Sequence, residues 1–312
     1  MENIIEVKNL KKSYKNLTAV NEISFYVKEG EILGFLGPNG AGKSTTINIL
    51  STALKYDSGQ INFMGRPIKT DMINIKKNIG IVPQDLAIYE DVSAEKNVRF
   101  FASLYSLKGE ALKEKTKQAL EFVGLYDRKD DKPKTFSGGM KRRLNIACAI
   151  AHNPKLIIMD EPTVGIDPQS RNHILTSIKK LQKMGATIIY TTHYMEEVEE
   201  ISDRIIIMDH GNIIAEGTKE KLKEAIEDEK VYVIAATNTD NLKNTDFFQI
   251  EGVKKVTISK NSVEVICLNT VENLDKIIIT MINKNCKVSN ITTNTASLER
   301  VFLNLTGKSL RD

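Results

Sequence analysis

The sequence is poor in cysteine and has no tryptophan; its 312 residues include only three cysteines. Cys148, Cys267 and Cys286 are widely spaced, odd in number and form no Cys-x-x-Cys pair. This spacing disfavours both a disulfide framework and a cysteine-based zinc site. It predicts a reduced protein of the cytosol with buried thiols.

Long apolar runs are missing as well. The most apolar stretches, at 156–160 and 204–209, are far shorter than the roughly 18 residues of a membrane-spanning helix. The N-terminal residues also lack the apolar core of a signal peptide. Any role at a membrane is therefore expected to require another polypeptide.

Charge of one sign is not concentrated anywhere. The 44 basic and 40 acidic residues are interspersed and give a net charge of +4. No Lys/Arg-rich arm or stripe stands out, so we expect no nucleic acid partner. At this length the chain can form one large domain and a smaller one.

Short apolar strands alternate with helical stretches over residues 1–218, as in a mostly parallel sheet covered by helices. Continuous apolar strands are predicted at 31–37, 155–162 and 187–193. A hairpin is predicted over 204–217, with its turn at His210-Gly211-Asn212. This part of the chain is predicted to be an α/β domain.

A charged helical stretch interrupts the alternation and predicts an inserted helical subdomain at about 86–150. Residues 219–312 begin with a charged helical segment and continue with alternating strands and further helices. They predict a small accessory α+β domain, with Leu298, Val301, Phe302 and Leu305 forming the apolar face of a last helix.

Residues 37–45, GPNGAGKST, match the phosphate-loop pattern G-x-x-x-x-G-K-S/T between a predicted strand and a predicted helix. Glycines let backbone N–H groups point at phosphate oxygens, and the helix N-terminus favours negative charge. Lys43 is expected to reach the β- and γ-phosphates of ATP and Ser44 to bind Mg²⁺. The predicted nucleotide-binding residues of this loop are Gly37, Pro38, Asn39, Gly40, Ala41, Gly42, Lys43, Ser44 and Thr45.

Asp160 and Glu161 follow the apolar strand Leu-Ile-Ile-Met. Beside a phosphate loop, Asp160 is expected to hold Mg²⁺ and Glu161 to polarise the water that attacks the γ-phosphate. The sequence thus predicts an ATPase, with ATP and Mg²⁺ as its cofactors.

The segment SGGMKRR at 137–143, followed by a helix-like stretch and LIIMDEP, resembles the signature region of the ATP-binding-cassette ATPases. The resemblance implies a P-loop NTPase core of RecA-like fold. Taken alone, Ser137 reads as a helix N-cap. The other matching elements are Tyr14 (adenine-stacking aromatic), Gln84 (glutamine loop, also a Mg²⁺ ligand), Asp167 (D-loop) and His193 (switch histidine).

The resemblance implies a head-to-tail dimer, in which Ser137, Gly138 and Gly139 of one chain cover the nucleotide bound to the other. A homodimer and a heterodimer with a sibling subunit are both open. Glu161, His193 and Gln84 are the expected catalytic residues.

The tail at 297–312 resembles that of daunorubicin-resistance-type ATP-binding subunits. The resemblance implies the ATPase subunit of an exporter, peripheral on the inner face of the cell membrane and paired with a separate membrane permease. The alternative is a soluble cassette ATPase acting on ribosomes or nucleic acid. It is disfavoured by the single cassette and by the lack of sustained heptads between Lys43 and Ser137.

Overall fold

The computed structural model describes residues 2–15, 17–70, 72–224, 229–294 and 298–306. The chain divides into two units, Met1–Glu216 and Gly217–Leu310. Helices and strands are numbered in chain order.

The first unit contains a six-stranded sheet in the order β10-β9-β3-β8-β7-β6. The pairs formed among β3, β6, β7, β8 and β9 are parallel. Its strands are β3 (Ile32–Leu36), β6 (Ile79–Val82), β7 (Leu156–Asp160), β8 (Thr187–Thr192), β9 (Arg204–Asp209) and β10 (Asn212–Gly217). The predicted strands and the hairpin are confirmed, and the turn residues His210 and Gly211 both have positive φ, as a type I′ turn requires.

A second, four-stranded sheet was not anticipated from the sequence. Its order is β2-β1-β4-β5, and its pairs are antiparallel. The strands are β1 (Asn3–Tyr14), β2 (Leu17–Lys28), β4 (Ser58–Phe63) and β5 (Arg66–Pro67). β1 and β2 carry many lysines and other polar residues on their exposed positions, which hid the strand pattern.

Seven α-helices of the described residues belong to the first unit. They are α1 (Lys43–Leu50), α2 (Met72–Lys77), α3 (Ala94–Ser103), α4 (Gly109–Phe122), α5 (Gly138–Ile150), α6 (Pro168–Lys183) and α7 (Met195–Ile201). The helices α3, α4 and α5 lie between β6 and β7 in the chain.

The strands β3, β7, β8 and β9 of the six-stranded sheet are buried on both faces, since successive side chains of a strand point to opposite sides and almost all of them are buried. On β7, Ile157 and Met159 pack with the core of α3–α6, whereas Leu156 and Ile158 pack with α1 and the antiparallel sheet. This burial on both faces explains the continuous apolar runs in the sequence. Because these strands are parallel, their carboxyl ends lie at the same end of the sheet.

The second unit has an antiparallel sheet in the order β12-β13-β11-β14. Its elements are α8 (Lys219–Glu224), β11 (Glu229–Thr237), α9 (Asn244–Phe247), β12 (Val253–Ser259), β13 (Ser262–Leu268), α10 (Leu274–Asn283), β14 (Lys287–Asn294) and α11 (Leu298–Thr306). The polar strand β14 was not anticipated.

The last helix corrects one expectation. Leu298, Val301 and Phe302 are buried as predicted, but Leu305 is 48% exposed, so the buried face ends before it. The rest of the tail motif, Ser297 and residues 307–312, lies outside the described residues.

A buried cluster of ion pairs joins β9 to Glu31, the residue directly before β3. Arg204 donates to the carboxylate of Glu31, with Nη2 2.6 Å from Oε1, and also to Glu216 and the carbonyl of Tyr26. Both the Arg204 and Glu31 side chains are only 9% exposed. Removing one partner of such a pair leaves an uncompensated buried charge.

We predict that Arg204→Met lowers the free energy of unfolding by about 3–5 kcal/mol, because Glu31 loses its counter-ion in a buried place. Urea unfolding followed by circular dichroism measures this change. The matched control is Arg128→Met, which removes a half-exposed pair with Asp131 and is expected to cost at most about 1 kcal/mol. Equal losses in the two variants would contradict the prediction.

Candidate active site

The candidate site lies at the carboxyl edge of the six-stranded sheet. Residues 37–42 connect the end of β3 to the start of α1, and Asp160 and Thr192 end the neighbouring strands β7 and β8. Because the three strands are parallel, these ends meet on one side of the sheet. The order of the strands therefore assembles residues that are more than 100 positions apart in the chain.

The backbone of the loop requires glycine at fixed places. Gly40 and Gly42 have φ of 82° and 102°, where a side chain is strained. A Cβ atom at Gly37 would lie 2.3 Å from the carbonyl oxygen of Met208, and one at Gly42 would lie 2.3 Å from that of Ala19. The loop is thus wrapped tightly by its surroundings.

Lys43 opens α1 and is almost completely buried, with 4% of the side chain exposed. Its ammonium donates to the carbonyls of Gly37 at 2.7 Å and Pro38 at 3.1 Å, and lies 3.6 Å from Oε1 of Glu161. Burial lowers the pKa of Lys43, while Glu161 and Asp160 act in the opposite direction. The loop therefore holds a positive charge against the N-terminus of a helix.

Thr191 holds both carboxylate residues in place. Its hydroxyl donates to Oδ1 of Asp160 at 2.5 Å and accepts from the N–H of Glu161 at 3.0 Å. Ser44 also donates to Oδ1 of Asp160, at 3.3 Å. Thr191 was missed from the sequence, because a threonine in an apolar strand gives no signal of its pairing with Asp160.

Glu161 is buried and has a φ of 44°, an uncommon value for a residue other than glycine. Strain of this kind persists only where the surroundings impose it, and it concentrates at functional sites. Nδ1 of His193 lies 3.3 Å from Oε2 of Glu161, although the contact lacks hydrogen-bond geometry. The structure therefore brings Lys43, Glu161 and His193 together.

The phosphate loop forms the floor of an open cleft of about 240 Å³. This volume is below the roughly 300–1,000 Å³ of typical ligand pockets. Tyr14 is 45% exposed and stands on the rim. The cleft is lined by Tyr14, Leu17, Ala19, residues 39–45, Gln84 and Glu161; Leu17 and Ala19 were not anticipated.

Ser137, Gly138, Gly139 and Asp167 are not among the residues that line this cleft. Ser137 caps α5 by accepting from the N–H of Met140, as predicted, and Gly138 is exposed with open space around it. Gly139 packs against Ser170. Asp167 caps α6, and the N–H of Ser170 lowers the pKa of its carboxyl group.

The oxygen donors at the cleft fit a hard divalent cation. Within the part of the chain that the structure describes, no group of three or more His, Cys, Asp or Glu side chains could hold a metal ion. Ser44 and Asp160 are in contact and Gln84 lines the same cleft. A hydroxyl, a carboxylate and an amide oxygen leave room for phosphate oxygens and water, which is the coordination that Mg²⁺ prefers.

Known proteins match the whole chain. The family model described as "ABC transporter" matches residues 20–164. The linearmycin resistance ATP-binding protein of Bacillus subtilis is 42% identical over 313 residues, covering 99% of this chain and 100% of that protein. The daunorubicin/doxorubicin resistance ATP-binding protein of Streptomyces peucetius is 37% identical, covering 71% of this chain and 67% of that protein.

Solved structures agree with the fold. The cbiO1 protein of Clostridium perfringens, part of the ABC transporter complex cbiONQ, is 32% identical with a TM-score of 0.67, over 72% of this chain and 92% of that one. The dimeric cassette MJ0796 bound to ADP and phosphate is 28% identical with a TM-score of 0.63, over 69% of this chain and 98% of that one. The predicted α/β P-loop fold and the resemblance to drug-resistance subunits are confirmed. The chain therefore belongs to the ATP-binding-cassette transporter family, as an ATP-binding and ATP-hydrolysing subunit.

Proposed function

We propose that this chain hydrolyses ATP at the cleft over residues 37–45 and uses the energy to drive export through a separate membrane permease. The observation that carries the proposal is the strained, buried Glu161 carboxylate, held 3.6 Å from the Lys43 ammonium and 3.3 Å from His193. The full-length likeness to a linearmycin resistance ATP-binding protein supports export of an antibiotic or a similar amphiphile.

The loop binds the triphosphate through its backbone and Lys43. In the structure the Lys43 ammonium donates to two carbonyls of its own loop, so phosphate oxygens exchange these neutral acceptors for charged ones. The N–H groups at the start of α1 add the favourable end of the helix dipole. Tyr14 stacks on the adenine ring from the rim of the cleft.

Glu161 orients and polarises the water that attacks the γ-phosphate. His193, next to Glu161, contacts the γ-phosphate and holds it in place relative to the Glu161 carboxylate. Gln84, which lines the same cleft, acts on the bound nucleotide together with them. The proton that leaves the attacking water is taken up by the carboxylate or by the phosphate product.

Ser44, Asp160 and Gln84 are the residues that would hold Mg²⁺. Bound there, the ion neutralises negative charge on the β- and γ-phosphates. The contribution of the chain is to hold Asp160 beside Ser44, through the hydrogen bonds that its Oδ1 accepts from the Thr191 and Ser44 hydroxyls.

Two chains form the complete site. Ser137 and Gly138 are exposed at the N-terminus of α5 and do not line the cleft of their own chain, so in a head-to-tail pair they supply a second anion site over the γ-phosphate. Asp167 is assigned to the same interface by the family resemblance. The solved structures of MJ0796 are dimeric, which supports a pair of chains. Both a homodimer and a pair with a sibling subunit satisfy it.

The permease docks on the region of α3. Tyr89, Phe100 and Leu104 are between 44% and 63% exposed, and Tyr89 and Phe100 pack edge to face with ring centroids 5.5 Å apart. Exposed aromatic residues of this kind are enriched in protein interfaces. None of the helices among the described residues is long and apolar enough to span a membrane. We place the chain on the inner face of the cell membrane, bound to that permease.

We predict that Glu161→Gln lowers the steady-state ATPase rate by about 10²–10⁴-fold, the usual effect of losing a catalytic base. ATP binding is retained, and an ATP-dependent dimer accumulates in size-exclusion chromatography because hydrolysis no longer separates the chains. Glu200→Gln, on an exposed pair with Lys179, is the control and keeps the native rate. Native turnover in the Glu161 variant would exclude its assigned role.

Lys43→Ala is expected to weaken ATP binding by about 10- to 100-fold, because charge-assisted hydrogen bonds contribute roughly 1.5–3 kcal/mol. Isothermal titration calorimetry measures the affinity. Lys69→Ala removes an exposed lysine away from the cleft and leaves the affinity unchanged. Similar ATP affinities in the native chain and the Lys43 variant would refute the role of this side chain.

A further inference from the structure

One face of α5 binds the loop that carries Gln84 through hydrogen bonds and an ion pair. Arg142 donates through Nη1 to the carbonyl of Pro83 at 3.0 Å and through Nη2 to the carbonyl of Gln84 at 2.8 Å. Further along this loop, Asn145 accepts from the N–H of Ala87 at 3.3 Å, and Lys141 pairs with Glu90 at 2.7 Å. Residues three and four apart share a helix face, so these contacts fasten the loop at 83–90 to a single side of α5.

Arg142 is suited to fixing an orientation. The guanidinium is planar, and its two terminal nitrogens bind two successive carbonyls as a fork. The side chain is only 6% exposed, so water competes weakly for these bonds. Burial also lowers the pKa of Arg142, with Asp85 acting in the opposite direction, and the group stays charged. A lysine has no such fork.

Arg142 does not line the nucleotide cleft, whereas the Gln84 residue that it holds does. The contact is with the main chain of Gln84, so the effect on the cleft passes through the backbone of residues 83–84. Rotation of these two peptide groups would redirect the Gln84 side chain.

The same helix begins at Ser137 and Gly138, which are exposed, followed by the buried Gly139. Arg142 follows Ser137 by five residues, about 7.5 Å along a rigid helix axis at 1.5 Å per residue. A displacement of the N-terminus of α5 would therefore move Pro83 and Gln84 by a similar distance.

We propose that Arg142 is a positioning residue for ATP hydrolysis: it locks the main chain at Pro83–Gln84 to α5, so that Gln84 takes its place in its own cleft when the Ser137 end of α5 engages the nucleotide of the partner chain. This rests on the proposed function, in which Gln84 acts on the bound nucleotide. Through this contact, binding of nucleotide at one site of the dimer changes the position of Gln84 at the other site.

The test is a double-mutant cycle between Arg142→Met and Gln84→Ala in the full-length chain. Arg142→Met is expected to lower kcat by about 10- to 100-fold through misplacement of Gln84, with KM for ATP changed less than about twofold. The double variant is expected to be no slower than Gln84→Ala alone, because both substitutions remove the same action. Arg142→Lys, which keeps the charge but loses the fork, gives an intermediate kcat and covers the case in which the methionine variant folds poorly.

Arg143→Met is the matched control. Arg143 sits beside Arg142 on α5 and donates to the carbonyl of Val123 at 2.9 Å, away from the Gln84 loop. The Arg143→Met substitution removes an arginine from the same helix, so it controls for a general loss of stability. It is expected to leave kcat unchanged.

The outcomes distinguish a failure of the positioning role of Arg142 from a failure of the proposed function. If Gln84→Ala slows turnover but Arg142→Met does not, or if the two effects multiply in the double variant, the positioning role is overturned and the proposed function stands. Arg142→Met and Arg143→Met lowering kcat equally overturns it in the same way. If Gln84→Ala has native turnover, the assigned role of Gln84 and the positioning role fall together.

Discussion

The buried ammonium of Lys43 is the interaction on which the site depends. It is held between two loop carbonyls and within 3.6 Å of Glu161, in a place where an unpaired charge would be costly. The glycines wrap the loop closely enough to supply those carbonyls, and Thr191 holds the carboxylate of Asp160 and the main-chain N–H of Glu161. The arrangement is poised for phosphate because the binding charge is already desolvated and the acceptors of its two hydrogen bonds are neutral carbonyls.

One chain holds only part of this chemistry. The cleft gathers Tyr14, the phosphate loop, Gln84 and Glu161, whereas Ser137 and Gly138 are exposed at the start of another helix. In the dimer that we propose, ATP bound at such a divided site holds the two chains together. The Arg142 fork adds a route by which the divided halves act together, since one helix carries the exposed segment and also fastens the Gln84 loop.

Much of this arrangement could be predicted from the sequence. The strands β3, β7 and β8 are buried on both faces, so their continuous apolar runs were visible, and the phosphate loop has backbone requirements that few other sequences meet. The antiparallel sheet and β14 were not anticipated because β1, β2 and β14 are rich in polar residues and lack the continuous apolar runs of β3, β7 and β8. Contacts such as those of Thr191 and Arg142 could not be predicted, because they join residues through tertiary packing, and a threonine in a strand or an arginine on a helix has no distinctive pattern.

The central claim is that each active site is built from two chains, and mixing two inactive variants tests it most directly. Lys43→Ala disables the loop, and Gly138→Arg blocks the exposed segment at a position where a new side chain meets open space. Each variant alone has two defective sites, but a mixed dimer contains one site with an intact loop and an intact Ser137–Gly139 segment. For a chain that pairs with itself, we predict that ATPase activity at limiting ATP, strongly reduced in either variant alone, rises when the two are mixed; a mixture of these homodimer-forming variants as slow as its components would contradict the account.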